Sequence, residues 1–311
     1  MMAAPVPSFP STLTVIMAMC CALSATTCYN LGPAVQKEAL NRFPPLTSYP
    51  LSRQVRTVFA DRRWRTGFVL GVMGILPNLA AVSMVGMAAS QPLMGFGLVV
   101  LAWYGRRRLG EPLSPRALAG IALMVTLPML IAFSGVSAPT RTILQPDTRR
   151  TLAVAVSTVF AVCACLTVAS RRAGILMAPA AGILLSMTAF CLQVISQLFV
   201  STGYHLLRDF PVIAARLFRD SAFLSILGVT IAGFTISAVA YYLQQIGLQR
   251  NRATRFNPIL NSVSISVGVT LGIVVFGQKL GRPGLYLSAM AVALAGITLS
   301  SSPGKTPVNR P

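Results

Sequence analysis

Residues 66–86 contain no charged side chain and carry Pro77 and Asn78 near their middle. A helix rises ~1.5 Å per residue, so a stretch of this length reaches ~30 Å, the thickness of a hydrocarbon core. In that solvent every backbone polar group needs a partner within the segment, so the stretch is a membrane helix. Pro77 withholds a donor and opens the hydrogen-bond ladder there, and the Asn78 amide must find its partner in protein or in a wet cavity, because lipid offers none. Asn78 either ties helices together or lines a path.

The pattern recurs at about residues 11–35, 88–104, 117–135, 151–169, 174–200, 221–248, 256–276 and 283–300, which predicts nine spans. Hydrophobic residues make up 54%, charged residues 10%, and the mean hydropathy is +0.70. This is the composition of an all-α polytopic membrane protein. We expect a single membrane domain over residues 1–311, with a first half at about 11–135, a second half at about 151–300, and short tails at 1–10 and 301–311. The first span competes with a signal peptide, since Ala22, Ser24 and Ala25 are small, but no basic residue precedes it and it exceeds a usual signal core. Residues 203–220 place His205, Arg208, Asp209, Arg216, Arg219 and Asp220 among apolar residues, which suits an interfacial helix.

The net charge of +20 lies in short clusters between spans with few aromatics, which argues against nucleic acid and for the orienting role of loop charge. With the N-terminus outside, the cytoplasmic segments 37–65, 106–116, 171–172, 250–255 and 305–310 hold eighteen Lys and Arg, and the other side eight. The expected placement is the cell membrane, N-terminus out and C-terminus in. The Pro-rich segment 37–65 reads as a cytoplasmic loop. Six cysteines all fall inside spans and read as packing residues, and the single His205 stands near a span end. With no paired carboxylates, His pair or Ser-His arrangement, an intramembrane enzyme ranks last, and no cofactor or resident metal is expected.

A weak internal repeat is visible. Pro92 stands before Gly110-Glu111 at nearly the interval by which Pro258 precedes Gly277-Gln278, and each pair brackets one span. The third and eighth spans are an odd number apart, so the halves would be inverted in the membrane, as in many secondary transporters with a solute site between them.

Polar chemistry inside the spans is amide and hydroxyl. Gln193 and Gln197 project together from the sixth span after Ser186, Asn257, Asn261 and Ser264 form a stripe on the eighth that continues as Gly268 and Gly272, and the seventh ends in Tyr241, Tyr242, Gln244 and Gln245. With Asn78 and Gln91 at the entry to the third span, we take Asn78, Gln91, Gln193, Gln197, Tyr241, Asn257 and Asn261 as the candidate solute pathway. Pro77, Pro92 and Pro258 are candidate helix breaks, and Gly268 and Gly272 close-packing positions. For each polar residue the competing role is a hydrogen bond between helices, worth ~0.6 to 2 kcal/mol. Gln244 and Gln245 could equally face headgroups, Glu38 can pair with Arg42, and Glu111 with the neighbouring arginines.

The run Gly74, Asn78, Ala80, Ala81, Ala88, Pro92, Leu93 and Glu111 resembles the signature of the NIPA-like magnesium transporter family within the drug/metabolite transporter (EamA-like) superfamily. Tyr242-Leu243, Leu248, Pro258-Ile259 and Gln278 echo it in the second half. The resemblance implies nine spans and transport of a small polar solute or ion across the bilayer. Three positions at which the family carries acids hold Ile75, Gln249 and Gln278, which removes carboxylates that a dication wants. Magnesium transport is therefore doubtful on the resemblance itself. The alternative to a transporter is a membrane scaffold or accessory subunit whose polar residues only hold the bundle together; a homo-oligomer is compatible with both.

The charge split predicts accessibility. In a cysteine-free background, cysteines at Ser8 and Thr140 should react with an impermeant thiol reagent added to intact cells, while cysteines at Ser52 and Arg107 should stay protected. Labelling of Ser52 with protection of Ser8 would reverse the orientation.

Overall fold

The computed structural model describes residues 12–85, 95–135, 141, 145–170, 174–202 and 221–301. These form eleven α-helices: α1 Thr12–Leu40, α2 Leu51–Ala60, α3 Arg62–Met73, α4 Ile75–Val85, α5 Gly97–Arg107, α6 Pro115–Phe133, α7 Pro146–Ala169, α8 Met177–Thr202, α9 Ser221–Arg250, α10 Ala253–Phe276 and α11 Pro283–Ser301. Short 3-10 turns occupy Leu46–Ser48 and Gly174–Leu176. Among the described residues, seven helical stretches are long and apolar enough to cross a bilayer: Val15–Leu40, Pro115–Phe133, Pro146–Ala169, Gly174–Ile195, Leu224–Arg250, Ala253–Phe276 and Pro283–Ser300. The count of nine is therefore not reached by single long helices. The stretch at 66–86 is divided into α3 and α4, and the one at 88–104 begins in residues outside the described set and continues as the short α5. The interfacial segment 203–220 also lies outside the described residues.

The division at Gly74 has the cause expected from Pro77. Proline has no N–H to offer the carbonyl one turn back, and the ladder restarts with Asn78 N–H donating to Gly74 O at 3.2 Å. Segment 37–65 connects α1 to α3 and is itself partly helical. α1 runs on to Leu40 with Gln36 and Lys37 buried, Pro50 sits at the N-cap of α2, and Asp61 caps α3 by accepting from Trp64 N–H at 2.8 Å. Charged residues at these positions are compatible with helix ends.

Two helix groups repeat one packing scheme. α1 packs on α3, α4 and α5, while α8 packs on α9 and α10, and α6 and α11 pair with each other. The α1–α3 contact is backbone on backbone: a Cβ built on Gly32 would stand 2.7 Å from Gly67 O and 3.0 Å from Gly71 N. The main core gathers Leu40, Trp64, Leu101, Leu248 and Phe256, all at or near full burial. Conversely Leu76, Phe234, Val154, Leu287 and Trp103 point outward, the apolar exterior that a bilayer covers.

Loops sort to two ends. Gln249 contacts the 40–46 turn, Asn251 Nδ2 reaches Gly174 O, and Glu111 reaches the start of α10, so segments 40–46, 108–114, 174 and 249–254 share one end. At the other, Gly281 N–H donates to Gly135 O, Arg282 N–H to Ser134 O and Arg141 N–H to Phe276 O. The first end carries the basic clusters of 37–65, 106–116 and 250–255.

Glu111 fastens that end. It does not pair with the arginine triplet; its carboxylate is buried and accepts from Ala253 N–H at 2.7 Å, Thr254 N–H at 2.9 Å and the Thr254 hydroxyl at 2.6 Å. An acid at the positive end of α10 satisfies donors that the helix cannot satisfy itself. Gly105 lies beneath Thr254, where any Cβ would collide with the Thr254 methyl, and accepts Glu111 N–H at 2.9 Å. Glu111→Ala should therefore lower stability by ~3 kcal/mol, read as thermal unfolding in detergent, and Glu111→Gln, which keeps one acceptor oxygen, by clearly less.

Candidate functional site: a polar track through the helix bundle

Small side chains let other helices approach α1: Ala18, Ala22, Ala25 and Ala34 are buried. Within that face Asn30 donates to Thr26 O at 2.9 Å and to Thr26 Oγ1 at 3.4 Å, and its Oδ1 accepts from Asn261 Nδ2 of α10 at 3.3 Å. Gly97 of α5 closes on the same pair, since a Cβ there would strike Asn30 and Thr26. Asn30 thus stands where α1, α5 and α10 meet. It lies ten residues before the end of α1, ~15 Å deep and near the middle of a hydrocarbon core of ~30 Å.

One turn from Asn261 along α10, Asn257 is 2% exposed, and neither its Nδ2 nor its Oδ1 has a hydrogen-bond partner. Pro258 follows it without ending the helix. Asn78 of α4 is half-buried beside the Tyr29 hydroxyl, adjacent in sequence to Asn30, and its Oδ1 is without a partner. Asn78, Tyr29, Asn30, Asn261 and Asn257 therefore extend from α4 through α1 to α10.

Towards the basic end a second network is nearly saturated. Gln36 Nε2 donates to the Tyr241 hydroxyl, Gln245 Nε2 to Gln36 Oε1 at 3.0 Å, and Trp64 Nε1 to Gln245 Oε1 at 2.9 Å. Trp64 stacks on Phe68 with centroids 5.6 Å apart, and Tyr241 meets both rings edge-on. Gln244 and Gln245 are buried, not turned to headgroups, and this network holds Gln245. Glu38 receives Arg63, with Arg42 at 3.9 Å and the Tyr104 hydroxyl at 2.9 Å, so the expected Arg42 pair is the looser contact.

The remaining sequence candidates scatter. Gln193 is half-buried on α8; Gln91, Pro92 and the Gln197 side chain lie outside the described residues. A Cβ on Gly268 would meet Ser186 at an ordinary 3.8 Å, whereas Gly272 is covered by the Gln278 amide of its own turn. Thr26, Asn30, Gln36 and Trp64 escaped notice in the sequence. The i, i+4 spacing of Thr26 and Asn30 inside the first span was a signal for them.

The three positions at which the resembled family carries acids do not converge. Ile75 is 45% exposed on the bundle's outer surface. Gln249 is used structurally: its Nε2 donates to Leu40 O at 3.3 Å, Phe43 O at 3.2 Å and Pro44 O at 2.9 Å, and its Oε1 accepts Leu46 N–H at 2.8 Å. Lys37 Nζ donates to Gln249 O at 3.2 Å. Gln278 lies at the opposite end, beyond the 24 residues of α10, ~36 Å away. No group of three or more His, Cys, Asp or Glu among the described residues could hold a metal ion.

Known proteins place the chain broadly. A stretch of 94 residues, 30% of this chain, is 32% identical to the probable magnesium transporter NIPA9 of Arabidopsis thaliana. That match covers 26% of the relative, so the chain spans about a quarter of its length. No family profile matches, and no solved structure matches. Together with the apolar helices, the partial likeness decides the class. The chain is a multi-pass membrane protein. A membrane transporter is consistent with both observations, and an enzyme is suggested by neither.

The saturated network makes a measurable prediction. Trp64→Phe keeps the ring contacts and removes one donor, so it should cost ~1 kcal/mol in detergent unfolding, whereas Gln245→Leu orphans Trp64 and Gln36 and should cost ~2 to 3 kcal/mol. The double variant should recover ~1 kcal/mol of the summed loss, the signature of direct coupling.

Proposed function

We propose that the protein is a nine-span transporter of the drug/metabolite transporter type, which carries a small polar solute past the asparagine track between α1 and α10. The observation that carries this reading is Asn257: a buried amide with donor and acceptor both unpartnered. Leaving such groups unsatisfied costs ~1 to 3 kcal/mol each, a cost that only a bound polar species or water removes. An amide serving only as interhelical glue would already be engaged, as Asn30 and Asn261 are. The half-buried Asn78 carbonyl, Tyr29 and these amides supply donors and acceptors without formal charge, which suits a neutral or weakly polar solute better than a bare dication.

Several features support inverted halves. α1 with α3, α4 and α5 mirrors α8 with α9 and α10 in its packing. Gly110 and Gly277 adopt φ of 62° and 61°, and the following N–H in each case returns to the carbonyl six residues back, Glu111 to Gly105 at 2.9 Å and Gln278 to Gly272 at 3.5 Å. One helix-ending turn thus closes both α5 and α10, at opposite ends of the bundle. In this reading α3 and α4 together form the second span, and α5 belongs to the third. The basic end faces the cytoplasm of a cell-membrane protein.

The name of the Arabidopsis relative raises magnesium as cargo. The dispersal of Ile75, Gln249 and Gln278 and the missing carboxylates weigh against it. Reconstituted protein should move a neutral polar solute, found by thermal shift across a panel, and should not restore growth to a magnesium-uptake-deficient host. Asn257→Leu should abolish that transport while leaving melting unchanged or raised, since leucine needs no partner. Normal transport by Asn257→Leu together with Asn78→Leu would remove the track from the pathway, and a marked loss of melting would make Asn257 structural.

A further inference from the structure

The outer surface of the α2–α3 elbow combines cationic and apolar groups that the transport reading leaves unused. On α2, Leu51, Val55 and Phe59 recur every fourth residue and are 60%, 48% and 44% exposed, while Gln54 and Val58 on the adjoining face are buried against the protein. Arg53 and Arg56 occupy the far side, with the Arg53 guanidinium 4.7 Å above the Tyr49 ring. On α3, Arg62 and Arg65 are exposed one turn apart. With Thr66, Val69, Leu70 and Met73 they line one shallow, open groove of about 450 Å³ along the face of α3.

Among the described residues neither Arg62 nor Arg65 forms an ion pair. Both ion pairs among the described residues use Glu38, which takes Arg42 and Arg63. Asp61 directs its carboxylate to Trp64 N–H as the cap of α3. The elbow also stands at the end of the bundle where segments 40–46, 108–114 and 249–254 meet, so Arg62 and Arg65 lie at its polar rim. Met73 is eight residues deeper than Arg65, ~12 Å along the helix and level with acyl chains.

We propose that this elbow is a binding site for one anionic phospholipid of the leaflet on the basic side. The phosphate sits between Arg62 and Arg65, one acyl chain lies along Val69, Leu70 and Met73, and α2 lies flat in the headgroup layer with Leu51, Val55 and Phe59 in the chains. Charge selects the headgroup, since nearby cations attract anionic lipid and leave zwitterionic lipid unselected. Shape selects an amphiphile over a soluble anion, because the groove beyond the arginines is walled by apolar side chains. The site rests on the membrane placement of the bundle and not on transport, so failure at Asn257 leaves it standing.

Native mass spectrometry of the full chain in nonionic detergent, with phosphatidylglycerol or phosphatidylcholine of equal chain length, tests it. One phosphatidylglycerol should be retained in preference to phosphatidylcholine. Arg62→Gln with Arg65→Gln should weaken that retention about tenfold. Arg150→Gln with Arg282→Gln, exposed arginines outside the elbow, should not. Val69→Trp, which fills the groove from a lipid-facing position, should weaken it as well while melting without lipid stays unchanged. Equal retention of the two lipids, or full retention by both elbow variants, would overturn the site. So would thermal stabilisation by inorganic phosphate equal to that by phosphatidylglycerol, which would make the arginines a soluble-anion site.

Discussion

A carboxylate enclosed in a membrane protein must find donors within the fold, and Glu111 finds three at the head of α10. Much of the architecture follows from that meeting. It holds the end of α5 to the start of α10, the helix on which Asn261 meets Asn30. Gly105 is glycine because Thr254 occupies the space a side chain would need. Gln249 does at the next helix end what Glu111 does here, with a neutral amide that ties α9 to the 40–46 turn. One rim of the bundle is thus joined by polar groups, while the apolar faces need only steric fit.

Much of this was legible in sequence because the bilayer admits so few structures. Uncharged lengths gave the helices, and Pro77 gave the break that appears at Gly74. The roles of Glu111 and of Gln245 were not legible. Whether an acid at a span end faces arginines in the next loop or the donors of a distant helix depends on which helices meet, and local spacing carries no such information. The same ignorance hid Asn30: its partner is 231 residues away. Within segment 37–65 the prolines do interrupt the helices as expected, but the short α2 that Pro50 caps carries too few residues to stand out from a loop.

The candidate track differs from the Gln36 network in one physical respect. Gln36, Gln245, Trp64 and Tyr241 are linked to one another by hydrogen bonds, and a connected set of this kind holds its helices in place. Asn257 and the Asn78 carbonyl are incomplete. A protein that binds and releases a polar solute needs groups of the second type within reach of a frame made from the first. The partial likeness to a plant NIPA protein covers too little of either chain to carry its cargo across, and the amides of this bundle are a different set of ligands from the carboxylates a dication favours.

The contact of Gly32 with Gly67 and Gly71 constrains how such a frame can move. Where two helix backbones touch, a slide of one residue brings side chains against carbonyl oxygens, so α1 and α3 are held in one register. At Gly74 the ladder is interrupted, because Pro77 offers no N–H. The break redirects the second part of the apolar stretch 66–86 without freeing it, since α4 packs on α1 in its turn and sets Asn78 beside Tyr29.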